Sequence, residues 1–217
     1  MRKKTISIYL IVIVVLLTPW IYHTFFFARE KSISVNLVSK TNSRQSTDHY
    51  KFNIPSEFGP EIGKGYFIFY FKYPDKSPFL PTTVDDSAIR VAVLYTEEVR
   101  MRVQTMLPKL YDKSGAWDGQ GYFLESKGEM DVYRPYIGTE TPAANTIYKF
   151  VDEAGNNILV LDVDASSRIY RVYRKFSENM ELEYWVPRKL ATLSDIKKID
   201  NAVMDMVRSF QETASNN

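Results

Sequence analysis

The side chains most often recruited for catalysis are scarce in this chain. Its 217 residues include two histidines, His23 and His49, and no cysteine. A zinc site of the histidine–cysteine type therefore has too few ligands, and disulfides and thiolate nucleophiles are excluded. Carboxylates could still take calcium, and Asp162, Asp164 and Ser166 follow the D-x-D-x-S opening of a calcium loop. The sixth position is Ser167 where the loop's sharp turn calls for glycine. The twelfth is Tyr173 where a bidentate glutamate is needed. The stretch reads as a strand end running into a polar turn, and no metal or other cofactor is expected.

Nucleophilic chemistry finds no better footing. Ser194-Asp195-Ile196-Lys197 matches S-x-x-K, but the accompanying S-D-N and K-T-G elements are missing, and Ser194 falls where a helix cap is wanted. No G-x-S-x-G elbow occurs, and a serine triad would have to recruit His49. Gly63-Lys64-Gly65 and Gly119-Gln120-Gly121 are too short for a phosphate loop, and the first reads as a turn before a strand. Glycoside hydrolysis needs only two carboxylates, which Asp112 with Asp118, or Glu125 with Glu129, could supply. Any acidic surface contains such pairs, so the chain is not expected to be an enzyme.

Recognition is better represented. Tyr111, Trp117, Tyr122, Tyr133 and Tyr136 gather around Arg134 in a glycine-containing stretch. Large, rigid rings with polar tips are the composition of a protein-binding surface. Nucleic acid is not the expected partner. The chain carries 28 basic and 26 acidic residues, and Arg2, Lys3 and Lys4 stand at its tip, which leaves 25 against 26 for the rest. A nearly neutral remainder has no basic stripe for phosphates.

The element that would position this surface in the cell is residues 6–27, ISIYLIVIVVLLTPWIYHTFFF, with no formal charge and 17 of 22 residues apolar. As a helix it would be about 33 Å long, enough to cross the roughly 30 Å hydrocarbon layer. Ile6, Leu10, Val14, Leu17, Trp20 and Phe27 are the expected lipid-contacting positions along it. Signal-peptide cleavage is the alternative, but Ala28 with Phe26 two positions before it makes a poor cleavage site. The basic tip predicts a cytoplasmic segment at residues 1–5, a signal-anchor helix at 6–27, and export of everything after it. With neither cysteine nor an N-x-S/T sequon, a single-pass protein of a bacterial inner membrane facing the periplasm is the simplest reading.

Residues 28–48 are polar and read as a stalk, with a short strand at 33–38. Residues 49–217 then predict one α+β domain: a mostly antiparallel sheet packed with about two helices. Gly65 to Tyr73 should form a central strand covered on both faces, since both alternating sets are apolar. Further strands are expected at 89–95, 122–125, 130–136, 146–151, 158–164, 168–176 and 180–186. A three-residue turn between the last two would set Lys175 opposite Glu181 and Arg171 opposite Trp185. A helix is expected from Thr96 to Pro108. A C-terminal helix, capped by Thr192 or Ser194, should bury Ile196, Ile199, Val203, Val207 and Phe210.

Three functional readings follow. The first is a tethered periplasmic protein-binding module, most specifically an immunity protein against a toxin delivered to that compartment. The second is a structural or assembly subunit of an envelope secretion or transfer complex. The third is a hydrolase using loop carboxylates.

Overall fold

The structure is a computed structural model that describes residues 32–38, 49–80, 87–110, 121–135, 146–162 and 168–211. The expected membrane helix at 6–27, the tip before it and most of the stalk lie outside these residues. Among the described residues no helix is long and apolar enough to cross a membrane.

Among the described residues the chain builds eleven strands, most of them with alternating apolar side chains. They are β1 (Ser32–Val38), β2 (His49–Pro55), β3 (Glu61–Gly63), β4 (Tyr66–Phe71), β5 (Ile89–Tyr95) and β6 (Gly121–Lys127). After these come β7 (Met130–Pro135), β8 (Thr146–Val151), β9 (Asn157–Asp162), β10 (Ile169–Ser177) and β11 (Met180–Pro187). Nine of them form one antiparallel sheet in the order β3-β4-β5-β11-β10-β9-β8-β7-β6. β1 and β2 pair separately as a two-stranded sheet. Among the described residues two helices complete the α+β architecture: α1 (Arg102–Met106), flanked by 3-10 turns, and α2 (Ile196–Phe210) near the C-terminus.

The inner face of the large sheet carries the main core. Cross-strand register stacks Phe67, Phe69 and Phe71 of β4 beside Val93, Val91 and Ile89 of β5, then Leu182, Tyr184 and Val186 of β11. α2 lays its full apolar stripe, Ile196, Ile199, Val203, Val207 and Phe210, into this core as expected. The Phe210 ring meets Phe69 edge-on at 5.2 Å between centroids. Each such side chain contributes about 1.5–3 kcal/mol of burial, before the entropy of ordering is subtracted.

Among the described residues the outer face is covered over part of its width. Met101, Val103 and Leu110 from the α1 region pack on Tyr133, Ile147 and Leu159.

Three expectations need correcting. β4 lies beside the three-residue edge strand β3 rather than at the centre of the sheet. Its inner residues are fully buried, whereas on the outer face Tyr66 is exposed and Tyr70 half-buried. The Thr96–Pro108 helix is interrupted: Val99 is exposed, and the extended backbone of Met101 starts a shorter helix. Part of the expected stalk belongs to the domain, because Val35 and Leu37 of β1 are buried in the main core. The Gly63–Gly65 segment does form the expected turn, with Gly65 at φ +81°, a conformation glycine adopts without strain.

Candidate functional site

The aromatic cluster expected to bind a partner is only partly visible. Tyr111, Trp117 and Tyr136 lie outside the described residues. Tyr122 stands on β6 directly opposite Arg134 on β7, so pairing brings these two positions together. Arg134 is half-buried. Tyr133 is a core residue, 3% exposed, with its ring edge-on to Phe123 at 5.7 Å. Its alternation partner Ile147 across the ladder belongs to the same outer-face cluster, which is why this tyrosine turns inward.

The expected chemistry sites fare as follows. Asp112, Asp118, Asp164 and Ser166 lie outside the described residues. Asp162 forms an ion pair with Arg188. Glu129, in the β6–β7 turn, holds Lys197 of α2 with Oε2 2.5 Å from Nζ, and Glu125 is exposed on β6. That ion pair bridges the rim of a cavity of about 240 Å3 floored by Met130, Tyr148, Phe150 and Leu193. The volume falls below the roughly 300–1,000 Å3 of ordinary small-molecule sites. Ser194 sits inside the turn before α2, its Oγ 2.7 Å from Thr192 Oγ1, and of the two expected caps it is Thr192, paired with Asp195, that forms the capping box. Among the described residues no three acidic or histidine side chains converge as a metal site would need.

Two arginine sites were not both foreseen. On the inner face, Arg174 of β10 is 3% exposed and reaches two carboxylates. It pairs with Asp200 of α2, and its Nη2 lies 2.6 Å from Oδ2 of Asp152 in the β8–β9 turn. The Tyr184 hydroxyl donates to Asp200 Oδ1 at 2.7 Å. Asp152 also accepts from the backbone N–H groups of Ala154 and Asn156, at 3.0 and 2.8 Å. Burial raises the Asp200 carboxyl above its usual range, against the pull of Arg174, and it raises the Tyr184 hydroxyl strongly. Asp152 also feels burial, but the hydrogen bonds from Asn156 and the charge of Arg174 outweigh it and hold the carboxyl low. The network ties a turn, a strand and a helix together. The i+4 position of Asp200 after Ile196, inside the apolar stripe, was the available sign of it.

On the outer face, register sets Arg90 of β5, Trp185 of β11 and Arg171 of β10 side by side. The expected pairing of Arg171 with Trp185 is borne out. Arg171 and Arg90 place their guanidinium carbons 5.2 and 4.4 Å from the indole centroid. All three residues are half-buried. A cation over an indole is worth about 0.5–1 kcal/mol where water can reach it and about 2 where it cannot. The indole Nε1 donates to Glu183 Oε1 at 3.0 Å, and the other oxygen of Glu183 faces Arg102 Nη1 at 3.4 Å. Lys175 stands opposite Glu181 as expected, but the Glu181 carboxylate accepts the backbone N–H of Val103 at 2.9 Å and so caps α1 from the sheet.

Comparisons with known proteins add little to this. No protein-family profile and no curated protein matches the chain. Among solved structures, it is weakly similar to the iron-regulated outer membrane lipoprotein FrpD of Neisseria meningitidis. Identity is 11%, the TM-score is 0.44, and 74% of this chain and 88% of that one are covered. A likeness of that size carries no functional argument.

Proposed function

We propose that this chain is a single-pass inner-membrane protein with a cytoplasmic N-terminus and a periplasmic protein-binding domain, and that it acts as an immunity protein against a toxin delivered to the periplasm. The observation that carries the reading is the uncharged run at 6–27 behind Arg2, Lys3 and Lys4, leading into a domain with its own core. Tethering a binder holds it where an incoming toxin must act and raises its effective concentration there. Binding in place of catalysis is the reading the sparse catalytic inventory favours. The partner-facing residues on this reading are Tyr111, Trp117, Tyr122, Arg134 and Tyr136, of which Tyr122 and Arg134 stand on the β6–β7 edge of the sheet.

One observation favours the second reading, a subunit of an envelope secretion or transfer complex. The sheet ends at β6, a seven-residue strand hydrogen-bonded only to β7 among the described strands. Such an edge can accept a strand from a neighbouring subunit.

Deleting the gene and competing the strain against its parent separates the two. An immunity role predicts that the deletion strain is killed on contact with the parent and rescued by the full chain. Normal survival with loss of an assembled envelope structure would establish the second reading instead. Carbonate extraction of the native protein into the soluble fraction, or a C-terminal reporter active only in the cytosol, would sink both.

A further inference from the structure

We infer that the Arg90–Trp185–Arg171 row on the outer face is a docking surface for a carboxylate-bearing segment of a partner protein. This deepens the protein-binding reading and rests on it.

The first observation is charge left unmatched. Neither Arg90 nor Arg171 pairs with any carboxylate among the described residues. The Nε of Arg171 is buried and makes no hydrogen bond. The acid in the neighbouring row, Glu183, is held by the indole N–H and by Arg102. Two like charges therefore flank one ring with no counter-charge between them among the described residues.

The second observation is geometry. A guanidinium stacked on an aromatic face keeps its N–H edges free, and those edges match a carboxylate in bidentate fashion. The ring holds both forks in place, so less rotamer freedom remains to be lost on binding. Register extends the row to Tyr70 beside Arg90, while Leu161 beside Arg171 packs against the α1 cluster and closes that end. The four strands from Tyr70 to Arg171 span about 14 Å, the length of an extended segment of about four residues. Acidic side chains at alternate positions of such a segment would meet the two guanidiniums, with its remaining atoms over Tyr70 and Trp185.

The test uses the full chain in non-ionic detergent and fluorescein-labelled hexaglutamate, followed by anisotropy. The wild-type chain should bind, and binding should weaken as salt is raised. Replacing both cations, Arg90→Gln with Arg171→Gln, should weaken binding by about tenfold or more. Removing two exposed charges elsewhere, Lys64→Gln with Lys198→Gln, should leave it unchanged. If the double glutamine variant fails to fold by circular dichroism, Arg90→Lys with Arg171→Lys keeps the charge and loses the planar forks, and it should still weaken binding.

Equal affinity in the arginine and control variants would overturn the inference. So would absence of binding to the wild-type chain, the result expected if another part of this chain already occupied the forks. Displacement of hexaglutamate by inorganic phosphate at lower concentration than by free glutamate would replace the protein partner with a phosphate-bearing one and overturn it too. The strain competition reads the wider proposal separately. A deletion strain still killed by its parent, together with failed hexaglutamate binding, would remove this surface and leave the immunity role standing.

Discussion

Arg171 and Arg174 leave the same strand three residues apart, on opposite faces of the sheet, and their surroundings treat them oppositely. Arg174 is enclosed by the main core and neutralised by Asp152 and Asp200. Arg171 lies against Trp185 with no acid partner among the described residues. The difference follows from what covers each face. α2 runs along the inner face and brings an aspartate with its apolar stripe, whereas among the described residues the apolar cover of the outer face is the α1 region on Tyr133, Ile147 and Leu159 of β7 to β9. A charge on a closed face must be matched from within the chain, because burying it alone costs several kcal/mol. A charge on a face left partly open can wait for a partner. The two faces also start their helices differently. α2 follows a turn capped by its own Thr192 and Asp195, and α1 borrows Glu181 from the sheet.

The largest expected effects lie on the inner face. Phe69→Ala should cost about 3–5 kcal/mol, because a fully buried ring leaves a cavity between Phe58, Phe71 and Phe210. Asp200→Ala should cost a similar amount, about 3–5 kcal/mol, by leaving Arg174 buried with half its counter-charge and Tyr184 without its acceptor. Urea melts of the full chain read both. A loss below about 1 kcal/mol in Asp200→Ala would show that Arg174 reaches water, and the contrast with Arg171 would disappear.

The helix starts come next. Glu181→Ala should cost about 1–3 kcal/mol, since the Val103 N–H loses a buried acceptor. Glu181→Gln should restore most of that, because the amide oxygen can accept the same bond without a carboxylate that burial disfavours. Thr192→Ala should cost about 1 kcal/mol, the usual value of a lost cap. If Thr192→Ala cost more than Glu181→Ala, the self-capped helix would be the more dependent on its cap, reversing the comparison. Arg171→Gln is the smallest of these, at less than about 1 kcal/mol of stability.

How much of this could be read in advance depends on distance along the chain. Local signals carried well. Ser177-Glu178-Asn179 implied the β10–β11 hairpin, and its register put Arg171 beside Trp185 as observed. Thr192 and Ser194 both offered a cap, of which Thr192 is the one used, and the apolar spacing of α2 implied its buried stripe. Long-range relations did not carry. Nothing local says that β5 pairs with β11, so Arg90 could not be placed on the indole. Apart from its spacing from Ile196, Asp200 carries no local mark of burial, because only the distant Arg174 makes an apolar position suit a carboxylate. Val35 and Leu37 sat in a stretch rich in serine and threonine, and a two-stranded sheet against the core was not visible in its composition. For the candidate site, Tyr133 shows the same limit: a tyrosine beside an arginine reads alike on a surface and in a core, until the ladder places Ile147 next to it.

The finest contrast separates the two acids that share Arg174. Both start from an ordinary carboxyl value of 3.8 and move in opposite directions. Asp152 is lowered, so the stability it contributes is fully present above pH 3.8 and is lost as the pH falls through its folded value. Asp200 is raised, so the folded protein takes up its proton before the unfolded chain does. Its contribution therefore declines as the pH rises from 3.8 through the folded value. Asp152→Asn should reduce stability at neutral pH and flatten its dependence below pH 3.8. Asp200→Asn should flatten the dependence above pH 3.8 instead, whatever it does to the absolute value. Urea midpoints at half-unit steps from pH 2 to pH 7 resolve the two windows. Flattening of the same window by both variants would mean that the two carboxylates titrate as one group around the guanidinium. The closed face would then hold a single shared charge site, in place of one acid buried with its helix and one held by its turn.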